Sequence, residues 1–230
     1  MAEPLVSVVI PIYNGERYVR GAIESVLAQD YPHFELILVN DGSGDSSARI
    51  MEDYPQAVAI HQQNQGVAAA RNTGIERANG QLFALLDQDD TWTKDKLRLQ
   101  VEFLEAHPEV DFVLAMQRLS LAPDCEVPSW LKPELLVEPQ IGYLPGTLLV
   151  RRAAFERVGG FDPQFRFGSD DADWFTRAKD ADLRRAVMPN VLLNRLIHDG
   201  NRSALVRDGN RELLRIIRAS VKRQRDASGT

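Results

Sequence analysis

The chain contains a single cysteine, Cys125, among its 230 residues. One thiol can form neither an internal disulfide nor a cysteine metal cluster, so a disulfide scaffold and a cysteine-rich metal site are excluded. The same scarcity favours a reducing compartment, and we expect a cytoplasmic location. Hydrophobic residues make up 44% of the chain, an ordinary share for a globular protein whose apolar core holds the fold together.

Long apolar runs are missing as well. No segment approaches the roughly 20 consecutive apolar residues that cross a bilayer. The first residues, Met-Ala-Glu-Pro, lack the positive flank of a secretory signal. We therefore expect no transmembrane segment, and at most a peripheral position on the inner face of a membrane.

Basic residues are fewer than acidic residues except near the carboxyl end. The net charge of -6 argues against general nucleic-acid binding. Residues 205–225 hold seven Lys or Arg and two acidic residues, a local balance of +5 that leaves -11 for the remainder. The three- and four-residue spacing of the basic residues predicts one basic helical face. Such a face suits an anionic membrane or an acidic partner. The alternative is a solvated helix that packs against the domain by its apolar side. The residues of this face are Arg207, Arg211, Arg215, Arg218, Lys222 and Arg225.

The first half of the chain alternates two kinds of segment. Short apolar runs, typical of strands covered on both faces, alternate with segments of helical period. This order predicts an α/β fold with a doubly wound, mainly parallel sheet flanked by helices. The predicted strands are Leu5–Ile12, Phe34–Val39, Ala57–Ile60, Leu82–Leu86 and Val110–Met116, and the predicted helices are Tyr18–Ala28, Ser46–Tyr54, Val67–Ala78 and Lys94–His107.

The second half is less regular. Prolines at five positions between 117 and 145 predict an irregular connection. Beyond it we predict a strand at Leu148–Val150 and helices at Ala153–Val158, Ala172–Ala181 and Leu205–Arg225. The predicted organisation is one domain over 1–204, with halves 1–116 and 117–204, and a basic carboxyl-terminal helix and tail over 205–230.

Polar clusters follow three of the predicted strands: Pro11-Ile12-Tyr13-Asn14, Asn40-Asp41-Gly42-Ser43 and Asp87-Gln88-Asp89-Asp90. Each alone is compatible with a turn. In open α/β sheets, however, ligands bind outside the carboxyl ends of the strands. Three clusters at one sheet edge therefore predict a shared site.

The Asp87-Gln88-Asp89 segment is the most informative of the three. Alternate residues of an extended chain point the same way, so both carboxylates can face one ligand. Mg²⁺ and Mn²⁺ prefer oxygen ligands, usually one or two carboxylates completed by substrate phosphates. The segment predicts a divalent cation shared with a diphosphate.

Three further residues are candidates for holding a nucleoside. An ionised Asp41 only accepts hydrogen bonds, so it suits a base that donates a ring N–H, as uracil, thymine and guanine do. Tyr13 could stack on that base, the alternative being a partly buried strand-end aromatic. Arg71 follows a run of alanines that allows close packing of helix on sheet; it could meet the base or phosphates or form a surface salt bridge.

Taken together, the pattern resembles the family 2 inverting glycosyltransferases, which have the GT-A nucleotide-sugar-binding fold. The resemblance runs from about Leu5 to Ser203. It includes the three clusters above and also Asn64–Gly74, Gly146-Thr147, Arg151, Gly159-Gly160-Phe161-Asp162, Asp170-Asp171-Ala172-Asp173-Trp174 and His198.

The resemblance implies a role for each matching residue. Pro11, Tyr13, Asn14, Asp41 and Arg71 would hold the nucleoside of a nucleoside diphosphate-sugar. Asp87 would contact the ribose or belong to the shell of groups around the metal, and Asp90 would lie near the donor sugar. Asp89 would bind Mn²⁺ or Mg²⁺, His198 would reach the diphosphate or the metal, and Asp171 would be the general base. Uridine is the donor base that the family favours.

The chain departs from the family pattern in two places. Asp170 stands where the family often has Glu, one methylene longer. The Gln-x-x-Arg-Trp signature of processive synthases is absent, which favours transfer of one sugar per encounter.

Other functions remain open. A sugar nucleotidyltransferase would carry a Gly-rich basic first loop, and a dehydrogenase Gly-x-Gly-x-x-Gly; neither is present. A catalytically inactive pseudo-transferase is the non-enzymatic alternative. The acceptor is undetermined: contacts to it are expected from 117–145, where Trp130 could stack on a sugar or plug the core.

Overall fold

In the computed structural model of the chain, residues 3–123, 125–129, 131–165, 169–201 and 206–228 are described. The first half forms four parallel strands joined by helices, in the predicted order. The strands are β1 Val6–Ile12, β2 Phe34–Asp41, β3 Val58–Gln62 and β4 Leu82–Leu85, and the helices are α1 Val19–Leu27, α2 Ser47–Glu52 and α3 Val67–Arg77.

Burial follows the apolar pattern in β1 but not in β3. All seven residues of β1 are buried, because β2 and β4 flank it and helices cover both faces. The third apolar run is also a strand, but the expectation that both its faces are covered is wrong: Val58 is 48% exposed. β3 is an edge strand that pairs only with β2 among the described strands.

The second half extends the same sheet. Its strands are β5 Thr91–Trp92, β6 Phe112–Leu121, β7 Gln140–Ile141, β8 Leu149–Arg151 and β9 Arg185–Ile197, and its helices are α4 Lys96–Ala106, α5 Arg152–Val158, α6 Asp170–Asp180 and α7 Val206–Ser228. The strand order in the described residues is β3-β2-β1-β4-β8-β6-β9-β5, with β7 beside β6. β8 is antiparallel to β4 and β6, and β9 runs parallel to β6.

Two expectations for the second half are wrong. The segment 117–145 is not wholly irregular, because β6 continues to Leu121 and β7 lies within it. The long strand β9 was not predicted at all. Pro189 interrupts its apolar pattern and cannot donate to a strand ladder. The structure accommodates Pro189 where the β6–β9 register shifts between the pairs of Leu114 and Met116.

Helices cover both faces of the sheet. Apolar side chains of α1, α2 and α4 pack on one face, and those of α3, α5 and α6 on the other. Helix α3 approaches β1 and β2 closely because Gly74 has no side chain: a Cβ there would lie 2.3 Å from Val9 Cγ1. The predicted doubly wound α/β fold with a mainly parallel sheet is confirmed.

Helix α7 is present at Val206–Ser228, close to the predicted 205–225, and packs against α6. Among the helices described, none combines the length and apolar character required to cross a bilayer. Three residues discussed above, Trp130, Ser203 and the predicted first helical residue Leu205, lie outside the described residues.

Candidate active site

The carboxyl ends of β1, β2 and β4 open into a cavity of about 720 Å³. Residues from α3, α6 and the end of β9 complete its walls. All ten residues predicted from the sequence line it, although they span most of the chain. They are Pro11, Tyr13, Asn14, Asp41, Arg71, Asp87, Asp89, Asp90, Asp171 and His198.

The segment after β1 is held by Gln88, the middle residue of the acidic segment. The backbone N–H of Tyr13 donates to Gln88 Oε1 at 2.8 Å, and Gln88 Nε2 donates to the Tyr13 carbonyl at 3.0 Å. Gly15 leaves room for this side chain, since a Cβ would lie 2.3 Å from Gln88 Oε1. Tyr13 is 42% exposed, so part of its surface is accessible from the cavity. Gln88 was not among the residues predicted for the site.

Asn14 connects the loops that follow β1 and β2. It adopts a left-handed conformation with φ of 48°, which asparagine tolerates better than most residues. Its Oδ1 accepts from the Gly44 N–H at 2.8 Å, and its own N–H donates to Ser43 Oγ at 3.0 Å. Asn14 therefore keeps two predicted clusters beside each other.

Asp41 is buried at the end of β2 and organises the loop before α3. Its carboxylate accepts from the Gln65 and Gly66 N–H groups at 2.9 and 2.8 Å, and from Gln62 Nε2 at 2.8 Å. A carboxylate offers about four acceptor positions. These three bonds leave capacity for about one further donor.

Arg71 forms a buried ionic bridge between two walls of the cavity. Its Nη2 donates to Asp87 Oδ1 and its Nη1 to Asp170 Oδ2, both at 2.6 Å. The side chains of Arg71 and Asp170 are 5% and 2% exposed, so the alternative of a surface salt bridge is wrong. Arg71 Nε has no hydrogen-bond partner in the part of the chain that the structure describes. The importance of Asp170 was missed, although the adjacent acidic pair Asp170-Asp171 was a visible signal.

Asp89 lies against His198 and Asn201. Its Oδ2 is 3.0 Å from His198 Nε2 and accepts from Asn201 Nδ2 at 3.1 Å. Asn201 Oδ1 accepts from the His198 N–H at 2.6 Å, so Asn201 positions both partners. Asn201 was not among the residues predicted for the site.

The surroundings of His198 bear on how it could bind a metal. The Gly200 N–H donates to Nδ1 at 3.1 Å, which places the proton of a neutral imidazole on Nε2, facing Asp89. Ligation through Nε2 would require that tautomer to change. Donation of a hydrogen bond from Nε2–H to an anionic ligand would not require a change of tautomer.

The donor set fits a divalent cation shared with a substrate. Within the described residues, no group of three or more His, Cys, Asp or Glu side chains is placed to hold a metal. Asp89 presents a carboxylate on the cavity wall, the ligand type that Mg²⁺ and Mn²⁺ prefer, and such ions usually complete their coordination with water and phosphate oxygens. Asp89 is thus the residue that would hold the ion, with His198 beside it.

Asp90 attaches the unpredicted strand β9 to this site. It is buried and accepts from the Leu196 N–H at 3.0 Å. Burial raises its pKa well above the ordinary value, and the nearby carboxylates of Asp89 and Asp87 add to the effect. β9 also brings Arg195 to the cavity. Because β9 was not predicted, Arg195 was not expected at this position.

Asp171 lies in the first turn of α6 and lines the cavity. Its Oδ1 accepts from the Ala172 N–H at 2.6 Å. Burial raises the pKa of Asp171 to about 7; the neighbouring Asp170 carboxylate contributes, and the Arg71 cation opposes the rise. A carboxylate with a pKa near neutrality is suited to accepting a proton.

Comparison with known proteins identifies the family. Residues 7–132 match the model of glycosyl transferase family 2. The uncharacterized glycosyltransferase RP339 of Rickettsia prowazekii is 33% identical over 184 residues, covering 75% of this chain and 58% of that protein. The chain spans 42% and 58% of the length of the first two curated relatives it matches.

Solved structures of glycosyltransferases share the fold. TarS 1-349 from S. aureus in complex with UDP superposes with a TM-score of 0.72 at 21% identity, covering 94% of this chain and 65% of TarS 1-349. The mannosyltransferase PcManGT from Pyrobaculum calidifontis, in complex with GDP-Man and Mn²⁺, superposes with a TM-score of 0.71 at 22% identity. The match covers 96% of this chain and 65% of the PcManGT chain. The chain therefore belongs to glycosyltransferase family 2 and has the GT-A fold.

Proposed function

We propose that this cavity binds a nucleoside diphosphate-sugar and transfers the sugar to an acceptor hydroxyl with inversion at the anomeric carbon. The observation that carries the proposal is that Asp89 and Asp171 line the same cavity from different walls. One carboxylate suits a cation beside a diphosphate, and the other has a pKa of about 7. Family membership supports the reaction class.

The nucleoside half of the donor would lie near the loops after β1 and β2. The exposed Tyr13 ring would stack on the base, and Asp41 would use its remaining acceptor capacity for a ring N–H. Pro11 and Asn14 would shape this wall, and Arg71 would support it through its hydrogen bond to Asp87. Uridine is the proposed base: TarS was solved with UDP. A guanosine donor is the competing choice, because PcManGT was solved with GDP-Man.

The diphosphate half would lie at Asp89, with Asp87 toward the ribose and Asp90 near the sugar. A divalent cation, Mn²⁺ or Mg²⁺, would neutralise the charge that develops on the departing diphosphate when bound here. Asn201 holds Asp89 and His198 in place through its hydrogen bonds. His198 Nε2–H would donate to a phosphate oxygen, or Nε2 would bind the cation after a change of tautomer.

Asp171 would accept the proton of the attacking hydroxyl. The acceptor oxygen forms a bond to the anomeric carbon as the bond to the diphosphate breaks on the opposite face, so the configuration inverts. General-base assistance of this kind contributes typically about 10² to 10⁴ in rate. One sugar per encounter is proposed, since the sequence lacks the processive signature.

A donor screen tests the proposal without knowledge of the acceptor. UDP-, dTDP- and GDP-linked sugars are added with Mn²⁺, binding is followed by thermal shift, and slow donor hydrolysis by NMR, with water in place of the acceptor. We expect a UDP-sugar to bind and to release UDP and the free sugar, first as the inverted anomer. Failure of every donor to bind would contradict the proposal.

Two outcomes of the same screen identify the alternatives. Binding without turnover, also in the presence of simple acceptor sugars, would indicate a pseudo-transferase. Release of sugar 1-phosphate and nucleoside triphosphate on addition of pyrophosphate would indicate a sugar nucleotidyltransferase.

A further inference from the structure

Helix α7 is attached to the domain through one of its three faces. Glu212 and Ile216 on this inward face are buried. The Asp180 carboxylate at the end of α6 accepts hydrogen bonds of 2.8 to 3.0 Å from three side chains of α7, Ser220, Arg223 and Gln224. Arg215, which was predicted to lie on the basic face, also contacts the domain by donating to Gln164 Oε1 at 3.2 Å. The inward face is therefore held by specific contacts.

A second face of α7 is apolar and points outward. Its residues recur at the one-, three- and four-residue spacings that place side chains in one stripe along a helix. Each is substantially exposed: Leu213 44%, Leu214 54%, Ile217 57% and Val221 43%. Four large apolar side chains in one stripe along more than two helical turns form a patch of the kind that marks an interaction site.

The third face is basic and lies directly beside the apolar stripe. At 100° per residue, Arg211, Arg218, Lys222 and Arg225 fall within about 60° of one another, next to Leu214 and Val221. All four basic side chains are exposed. The exposed acidic side chain described on α7, Asp226, lies near the carboxyl end of the helix.

We propose that this outward surface of α7 lies on an anionic lipid bilayer, with the apolar stripe among the acyl chains and the basic face among the headgroups. Helices that lie in a membrane interface combine these two features on adjoining faces, and basic residues near the surface are attracted by anionic lipids. Residues 205–225 carry +5 while the remainder of the chain carries -11. An anionic surface therefore attracts α7 and repels much of the rest, which defines one orientation.

This orientation would keep the cavity close to the membrane surface. Helix α6 begins at Asp170-Asp171 in the cavity wall and ends at Asp180, where α7 is attached. Its 11 residues span roughly 16 Å at 1.5 Å per residue. The proposal does not depend on the reaction, because vesicle binding is measured without donor or acceptor.

Vesicle co-sedimentation of the full chain tests the proposal. We expect binding to vesicles of phosphatidylcholine with phosphatidylglycerol, little binding to phosphatidylcholine alone, and weaker binding as salt is raised. The triple variant Arg211→Glu, Arg218→Glu, Lys222→Glu should weaken binding to the mixed vesicles at least tenfold. Its control, Arg49→Glu, Arg77→Glu, Arg118→Glu, changes the net charge equally at exposed positions outside α7 and should stay within twofold.

A second pair of variants tests the apolar stripe. Leu214→Gln with Ile217→Gln should also reduce vesicle binding at least tenfold, while Val127→Gln with Val137→Gln, which are exposed elsewhere, should not. Far-UV circular dichroism verifies folding of each variant. Equal binding to both vesicle types, no binding, or equal losses in the controls would overturn the proposal. So would a dimer, seen by sedimentation velocity, that the Leu214 and Ile217 changes dissociate while vesicle binding persists.

Discussion

Arg71 Nη1 donates to Asp170 Oδ2 at 2.6 Å, and Asp170 is the immediate neighbour of Asp171 in the first turn of α6. The other Nη group of Arg71 holds Asp87 at the end of β4. One buried guanidinium thus connects the wall proposed to bind the donor with the helix that carries the proposed base. It also opposes the rise in the pKa of Asp171. We therefore infer that Arg71 acts as a positioning residue, in addition to any contact it would make with the donor.

Replacing Arg71 should move the pH profile of the enzyme as well as lower its stability. Arg71→Met leaves Asp170 buried without its cationic partner, which costs about 3 to 5 kcal/mol of folding free energy. Loss of the cation also raises the pKa of Asp171, so the midpoint of donor hydrolysis against pH moves to higher pH.

Arg71→Lys keeps the charge but cannot reach both carboxylates with a planar fork. This variant provides a test if Arg71→Met does not fold, and should show a smaller shift in the same direction. A profile whose midpoint is unchanged in folded Arg71 variants would contradict the positioning role.

Asp171→Asn should separate donor binding from turnover. Asparagine has nearly the same shape but does not accept the proton, so donor hydrolysis should fall about 10² to 10⁴-fold. The dissociation constant for the donor, measured by calorimetry, should stay the same. Asp182→Asn, an exposed change beyond the far end of α6, is the matched control and should alter neither quantity. Unchanged turnover in Asp171→Asn would exclude Asp171 as the base.

Turnover should depend on the ionisation of Asp171 in the free enzyme. The base works only when deprotonated, and its pKa is raised to about 7 by burial and by Asp170. The value of kcat/KM should therefore rise about tenfold per pH unit below 7 and level off above it. A value of kcat/KM that is constant between pH 5 and 8 would show that turnover does not depend on a group that ionises near pH 7.

The close contact between α3 and the sheet predicts that alanine substitutions at two glycines will differ in their effect on the stability of the protein. In Gly74→Ala the new methyl group would meet Val9 at 2.3 Å, so overpacking should lower the free energy of unfolding by about 1 to 3 kcal/mol. Gly44→Ala is the control, because a Cβ there has no described atom within 4 Å. Urea denaturation of both variants measures the difference. Equal stability of the two would contradict the packing of α3.

The parallel half of the fold could be predicted because the residues of each strand and helix by themselves favour the structure that the segment adopts. Strands such as β1 are continuous apolar runs, and helices such as α3 carry small residues where they meet the sheet. β9 could not be predicted in this way. Its pattern is interrupted by Pro189, and it is a strand because β6 and β5 pair with it. These partners are far away in the chain.

The site could be predicted in its composition but not in its connections. The acidic and amide clusters at the ends of β1, β2 and β4 indicated which residues face the cavity. The two hydrogen bonds between Gln88 and Tyr13, and the bridge from Arg71 to Asp170, depend on distances across the sheet that no local pattern records. Arg195 was missed for the same reason, because its position follows from β9.

We propose that a cation held at Asp89 and a base at Asp171 serve one bound donor. Calorimetric titration of UDP, with Mn²⁺ or with a chelator, tests this proposal in the wild type, Asp89→Asn and Asp171→Asn. We predict that the wild type and Asp171→Asn bind UDP equally and only with Mn²⁺, while Asp89→Asn binds at least tenfold more weakly. Binding of UDP to Asp89→Asn with wild-type affinity in the presence of Mn²⁺ would contradict the account.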